Sequence, residues 1–392
     1  MAKLEIYLIR SYVSFSKSTD QISYPKFNHR MKALGIHLDT SKDTEDKLSR
    51  LDLGGCRTLI QIKPNQLICT SNSCCHYIDY PSLEISSTVT FPSQQFFIAN
   101  DKYLVCLSNS NQELIVHSKD GVQKASKLLP KKSKTNYYNG RWFGYHRYLK
   151  FYNENKVIVL LDDCTVWMIE IVEGQGEAQW SLIEQCLIDT EVGTQNPRRQ
   201  GQLNEDFTTW NNYLYVIGNR GQLQVLDVER LPNRSVKIRD ASPYLPDGSI
   251  FTAITCNKEY VVSAFSYKTQ AESKGIQLGL CLYNRSLVKH LHLYLSEKEE
   301  RPADYTENDL EYPPLQDMKI KTCHKIPFVL CLSIQRYFTV LAIFRSKLHM
   351  FSNLNKFTST SSIAVVNLEY DDAFMAIHSS GRGACLFRIS YK

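Results

Sequence analysis

The sequence predicts an all-β chain, a seven-bladed β-propeller of four-stranded blades whose ring is closed by an N-terminal strand completing the last blade. Three observations carry this. A pattern of turn, alternating apolar strand, turn and second alternating strand recurs seven times along 392 residues. Asn or Asp leads the turn in six of the seven copies, as a tight turn with left-handed tendency prefers. The last copy runs out of chain before its fourth strand, while a lone strand stands near residue 1.

The lone strand is Lys3–Ile9 (KLEIYLI), and pairing it with the last copy would remove exposed sheet edges. The pattern is clearest at Asn211–Val228 (NNYLYVIGNRGQLQVLDV). Its other copies start at Asn65, Asp101, Asn155, Asn257, Gln335 and Asp371. The second strands are 76–79, 113–117, 166–171, 223–228, 278–283, 348–351 and 384–389. An apolar stretch such as 59–62, 96–99 or 251–255 precedes the turn, and a more polar strand such as 84–89 or 288–294 follows. That makes four strands per unit, spaced from 36 residues (Asn65 to Asp101) to 78 (Asn257 to Gln335), as insertions into a blade repeat produce. A four-stranded blade cannot bury both faces alone, so the units must stack, and radially stacked units form a propeller.

The predicted blades are 57–90, 94–130, 146–189, 205–242, 250–295, 318–363, and 364–392 joined by 3–9. Val166-Trp167-Met168 and Val225-Leu226-Asp227 stand where a WD repeat has its closing dipeptide strand. On this pattern nearly the whole chain resembles the WD-repeat class of β-propellers. The Gly-His and Trp-Asp pairs of that class are absent, so the resemblance rests on periodicity.

Composition agrees with a packed soluble protein: 43% hydrophobic, 22% charged, with 23 Tyr and 17 Phe. A net charge of +6 is too weak by itself to argue for nucleic acid. Of the 12 Cys, Cys69, Cys106, Cys164, Cys256, Cys281, Cys331 and Cys385 lie in apolar runs, as buried thiols of a reducing compartment would. Residues 4–9 are too short for a signal peptide core. Ile326–Phe344 carries one charge, Arg336, and reads as two buried strands meeting at a turn rather than a membrane span. The expected location is therefore the cytoplasm or nucleus, without membrane insertion.

Long insertions fall at 10–55, 127–145, 190–205 and 296–317, all between the last strand of one blade and the first of the next. With the loop at 267–274 they crowd one face, where loops on a rigid scaffold usually bind. Neutral insertion is the alternative. Within 10–55, Thr40 or Ser41 would cap a helix over 42–51, in an arm that grips a partner or a solvated loop. The stretch 127–152 carries Lys127, Lys131, Lys132, Lys134, Arg141, Arg147 and Lys150, interleaved with Tyr137, Tyr138, Trp142, Phe143, Tyr145 and Tyr148. Such a mixture suits phosphates and stacked bases, a protein hot spot, or a loop folded back on the rim. Arg198 and Arg199 add charge to the next insertion. The stretch 296–317 is the acidic counterpart, with three prolines.

Little else points to chemistry. Cys69, Cys74, Cys75 and His76 lack paired CxxC spacing, and Cys75 and His76 point to opposite faces of a strand, so no zinc site is expected. No nucleophile elbow or phosphate-binding Gly-rich loop occurs, and 379–383 reads as a hairpin. The expectation is a non-catalytic scaffold without cofactor or metal, whose partners are protein subunits. The alternative is an RNA-binding or RNA-modifying-enzyme accessory subunit, and an enzyme at the ring centre is a third reading.

Overall fold

The computed structural model describes residues 36–40, 58–70, 74–80, 82–91, 95–108, 113–129, 149–160, 165–174, 180–188, 204–218, 222–230, 236–240, 245–246, 249–268, 276–286, 290–295, 315–323, 325–333, 338–354, 363–368, 373–378 and 384–391. Among them the chain forms seven four-stranded antiparallel sheets. Sheet 1 holds β2 (Thr58–Lys63), β3 (Gln66–Thr70), β4 (Cys74–Asp79) and β5 (Glu84–Thr90). Sheet 2 holds β6 (Gln95–Ala99), β7 (Tyr103–Ser108), β8 (Glu113–Ser118) and β9 (Gln123–Leu128). Sheet 3 holds β10 (Leu149–Phe151), β11 (Lys156–Leu160), β12 (Val166–Val172) and β13 (Ser181–Ile188). Sheet 4 holds β14 (Asn204–Trp210), β15 (Tyr213–Gly218), β16 (Gln222–Asp227) and β17 (Val236–Asp240). Sheet 5 holds β18 (Ile250–Cys256), β19 (Tyr260–Lys268), β20 (Ile276–Asn284) and β21 (His290–Leu295). Sheet 6 holds β22 (Leu315–Cys323), β23 (Ile326–Ser333), β24 (Phe338–Phe344) and β25 (Lys347–Leu354). Sheet 7 holds β26 (Ile363–Leu368), β27 (Ala373–His378), β28 (Ala384–Tyr391) and, from the other end of the chain, β1 (Ile36–Thr40).

Strand composition follows position. Second strands such as β3 and β11, and the third strand β8, are covered on both faces and so read as unbroken apolar runs, with four consecutive residues buried in each. Fourth strands are outer edges and mostly exposed, as in β5 and β9. Among the described residues five apolar layers lie between successive sheets. One joins sheets 1 and 2 through Ile68, Cys75, Leu104 and Cys106. The next joins sheets 2 and 3 through Val105, Val116, Val157 and Ile169. The layers that follow are built around Phe207, around Tyr215 and Phe265, and around Val262 and Leu341. Each buried Val, Leu, Ile or Phe contributes about 1.5–3 kcal/mol, so these layers dominate cohesion. First strands neighbour one another in sequence: β2 beside β6, β6 beside β10, β14 beside β18, β18 beside β22 and β22 beside β26, while β26 lies beside β2.

Asn side chains make the tight turns. The Asn100 side chain accepts the N–H groups of Lys102 and Tyr103 at 2.9 and 2.8 Å. Asn153 does the same for Asn155 and Lys156, and Asn257 for Glu259 and Tyr260.

Two expectations are corrected. The strand beside β28 is Ile36–Thr40, paired from Ile36↔Tyr391 to Thr40↔Phe387, whereas residues 3–9 lie outside the described residues. Thus 10–55 is not one insertion: only 41–57 link β1 to β2. Secondly, residues 335–336 fall between β23 and β24, so they join the second and third strands of sheet 6. Its first turn lies just before β23, where Lys325 has φ 66°. The Lys-rich β22 hides a first strand, and the apparent 78-residue gap had absorbed an extra hairpin. Ile326–Phe344 does form two strands, with Phe328–Cys331 and Val340–Ile343 buried. No helix among the described residues is long and apolar enough to cross a membrane.

Candidate interaction surface

The two ends of the sheets are built differently. At the end carrying the turns from first to second and third to fourth strands, polar contacts among the described residues tie sheet 1 to 2, 2 to 3 and 4 to 5. Tyr77 donates to the Lys119 carbonyl at 2.7 Å, joining sheets 1 and 2. Asn100 Nδ2 donates to the Glu154 carbonyl at 2.8 Å, Lys102 pairs with Glu154 at 3.1 Å, and Tyr103 donates to Glu173, joining sheets 2 and 3. Tyr215 donates to the Arg285 carbonyl at 3.1 Å, joining sheets 4 and 5. Desolvation raises the phenol pKa values of Tyr77, Tyr103 and Tyr215, which stay neutral donors.

The opposite end receives the long connections. In sheet 3, Leu149↔Val159, Leu160↔Val166 and Val166↔Ile188 place the start of β10 and the end of β13 at one end of the sheet. Connections 130–148, entering β10, and 189–203, leaving β13, therefore attach to the same end of the same sheet. The first is rooted at Leu129 and Leu149, each 2% exposed and both within the layer between sheets 2 and 3.

The roots are fixed by charge as well. Lys150 Nζ lies 2.9 Å from Asp206 Oδ1, donates to the Phe207 carbonyl and sits 4.7 Å from the centroid of the Phe207 ring. Asp206, only 5% exposed in its side chain, also accepts the Phe207 N–H at 2.8 Å and the Ile254 N–H at 3.0 Å. One carboxylate thus joins β10, β14 and β18. Lys127 bonds the Leu182 carbonyl at 3.1 Å and pairs with Glu184 at 3.3 Å. Lys127 and Lys150, read as part of the basic loop, are strand residues that hold sheets together.

The remaining predicted contact residues, Lys131, Lys132, Lys134, Tyr137, Tyr138, Arg141, Trp142, Phe143, Arg147, Arg198 and Arg199, lie outside the described residues, as do the acidic stretch 296–314 and the helix predicted at 42–51. Of the thiol–imidazole cluster, Cys74 and His76 come together, 3.2 Å from Sγ to Nε2, whereas Cys75 is buried on the other face. No group of three or more His, Cys, Asp or Glu among the described residues is placed to hold a metal. Sequence reading missed Asp206, which acts through strands distant in sequence, and Thr88, which meets His76 only through the register of β4 and β5.

Solved structures share this architecture. The WD40 repeats of RRP9 superpose with a TM-score of 0.55 at 11% identity, covering 91% of this chain and all of that one. U3-55K gives 0.54 at 12% identity, covering 90% and 98%. The Cps50 (Swd1) propeller domain of Myceliophteria thermophila gives 0.53 at 9%, covering 91% and 100%. The fold is a WD-repeat-like β-propeller. No family model matches the chain, and no curated protein matches it by sequence. At such identities the likeness is one of fold, and function has to be argued from the propeller's own surface.

Proposed function

We propose that this propeller is a non-catalytic scaffold that binds protein subunits of a larger assembly through the end bearing its long connections. In this reading the seven sheets close into one seven-bladed ring, sealed by β1 on β28 and by β26 beside β2. The observation carrying the reading is the asymmetry of the two ends. One is cross-tied turn to turn by Tyr77, Asn100, Tyr103 and Tyr215. The other roots the 130–148 and 189–203 connections on a single sheet. These supply Tyr137, Tyr138, Trp142 and Phe143 with Arg141, Arg147, Arg198 and Arg199, the residue types that anchor protein interfaces. The buried cysteines suit the cytoplasm or nucleus.

Affinity purification of the tagged chain with and without nuclease tests this. Stoichiometric partners that survive nuclease, and that Trp142→Ala with Arg141→Ala releases, are expected. A chain that purifies alone would refute the scaffold. The interleaving of Lys131, Lys132, Lys134 and Arg141 with aromatics favours RNA as the second reading. It requires partners lost on nuclease treatment, and an RNA affinity whose salt slope falls when Lys131, Lys132 and Arg141 are changed to Glu.

A further inference from the structure

Cys74 and His76 stand two apart on β4, so the pleat puts both side chains on one face of sheet 1. Thr88 of β5 is directly opposite His76 in the register. The three groups meet in a line: Sγ of Cys74 is 3.2 Å from Nε2 of His76, and Nδ1 of His76 is 2.9 Å from Oγ1 of Thr88. Cys74 and His76 are half-buried and Thr88 is exposed, so solvent reaches the row. A nucleophile, a base within hydrogen-bond reach and a third group orienting that base form the general pattern of an activated thiol. Two adjacent strands set this one, not a loop.

We propose that Cys74 is a reactive thiol, activated by His76 and steered by Thr88, that is modified by peroxides and small alkylating electrophiles. With Nδ1–H donating to Thr88, Nε2 keeps its lone pair and takes the S–H proton. The thiolate attacks one peroxide oxygen and the O–O bond breaks. The departing oxygen takes the proton held by the imidazolium and leaves as water or an alcohol. Cys74 becomes a sulfenic acid as the peroxide is reduced, so atoms and electrons balance without another reactant. His76 touches the reacting sulfur; Thr88 acts through it as a positioning residue.

Three other thiols are internal controls. Cys75, its neighbour, is fully buried, and burial pushes its pKa up. Cys106 also lies near an imidazole, 3.7 Å from Nε2 of His117, but both groups are buried and burial again raises the thiol pKa. Cys106 therefore tests whether imidazole proximity without access is enough. Half-buried Cys186 is the comparison of similar exposure.

The experiment labels the reduced, folded full chain with iodoacetamide at pH 7. Tandem mass spectrometry separates Cys74 from Cys75, and a dimedone-type trap reads sulfenic acid after hydrogen peroxide treatment. Cys74 is expected to label at least tenfold faster than Cys75, Cys106 and Cys186, and to be the first sulfenic acid trapped. His76→Gln should bring Cys74 to within about threefold of Cys186. Thr88→Val should slow labelling and Thr88→Ser restore it. Were His76→Gln to misfold, wild-type Cys74 against Cys186 and the folded Thr88→Val variant decide. Labelling of Cys74 no faster than Cys186, or an unchanged rate in folded His76→Gln or Thr88→Val, would overturn the proposal.

Discussion

Asp206 offers the sharpest test of how the propeller is held together. Its carboxylate is nearly fully buried and serves Lys150, the Phe207 N–H and the Ile254 N–H at 2.8–3.0 Å. Asp206→Ala removes all three acceptor contacts. Ile254 is 2% exposed, so water cannot readily replace the acceptor its N–H loses. A buried group left unpaired costs about 1–3 kcal/mol. Removing one member of a buried ion pair costs about 3–5 kcal/mol, and the lower end applies because the Lys150 side chain is about a quarter exposed. The expected loss is about 3–4 kcal/mol. For a chain of this length that is a fall in Tm of roughly 4 °C, since unfolding entropy grows with residue number. Lys150→Met should cost only about 1–2 kcal/mol, because two backbone donors still satisfy Asp206. Urea titrations of both variants and of the double variant, read as midpoint shifts at unchanged slope, give the coupling. Asp206→Ala within about 0.5 kcal/mol of wild type would refute the reasoning. So would Lys150→Met costing as much, because the ion pair rather than the backbone acceptors would then dominate.

Three further perturbations follow from packing, turn geometry and titration. A Cβ at Gly279 would sit 2.0–2.6 Å from the Phe265 ring, which Phe251 and Tyr267 flank at 5.8 Å. Gly279→Ala should therefore lose about 1–3 kcal/mol in thermal melts, and Phe265→Leu in the same chain should recover part of it. Arg345 and Ser346 hold φ 51° and 57° in the β24–β25 hairpin, a conformation preferring Asn-Gly, so Arg345→Asn with Ser346→Gly should raise stability by about 1–2 kcal/mol. His292 Nδ1 accepts the Leu348 N–H at 3.2 Å across sheets 5 and 6. Desolvation, and then His349, Lys347 and His290, lower the His292 pKa to about 4; desolvation and Lys347 do the same for His349. A depressed imidazole pKa means that the folded state binds the proton less well than the unfolded one. The contribution is thus present above about 6.5 and lost as pH falls towards 4. Discounted for partial exposure it is about 1–2 kcal/mol per histidine. His292→Asn, which keeps an acceptor without titrating there, should flatten the acid limb of Tm against pH.

The middle strands were legible in the sequence because both their faces are covered. Unbroken runs such as Val157–Leu160 and Leu214–Ile217 leave no other reading, and Asn257 announces its turn by side-chain hydrogen bonds, whereas beside Asp101 it is Asn100 that makes them. Legibility fails where the deciding partner is remote. Residues 3–9 make the stronger local strand pattern, yet pairing with β28 falls to Ile36–Thr40, which has two large apolar residues in five. In sheet 6 the first strand is polar and no Asn or Gly marks the turn at Lys325, so the sequence pattern points to the next turn instead. Of the thiol row, parity along β4 already pairs Cys74 with His76. Only the β4–β5 register, shifted by a bulge beyond Tyr77, brings in Thr88.

The contrast between the two ends bears on what the fold is for. Turn-to-turn ties of the Tyr77 and Tyr215 kind hold successive sheets at fixed spacing without using any long connection. The Lys150–Asp206–Ile254 node does the same work beneath the root of the 130–148 connection, where Leu129 and Leu149 are sealed in the layer below. Residues 130–148 and 189–203 are therefore not needed for the ties seen between sheets 2, 3, 4 and 5. Long connections cost a rigid scaffold little stability, because loop-closure entropy rises only slowly with length. If the proposed contact residues stand there, they can vary without disturbing the packing between sheets. The ties themselves predict the converse: substitutions at Asp206 should lower stability first, and alter partner binding only as the chain unfolds.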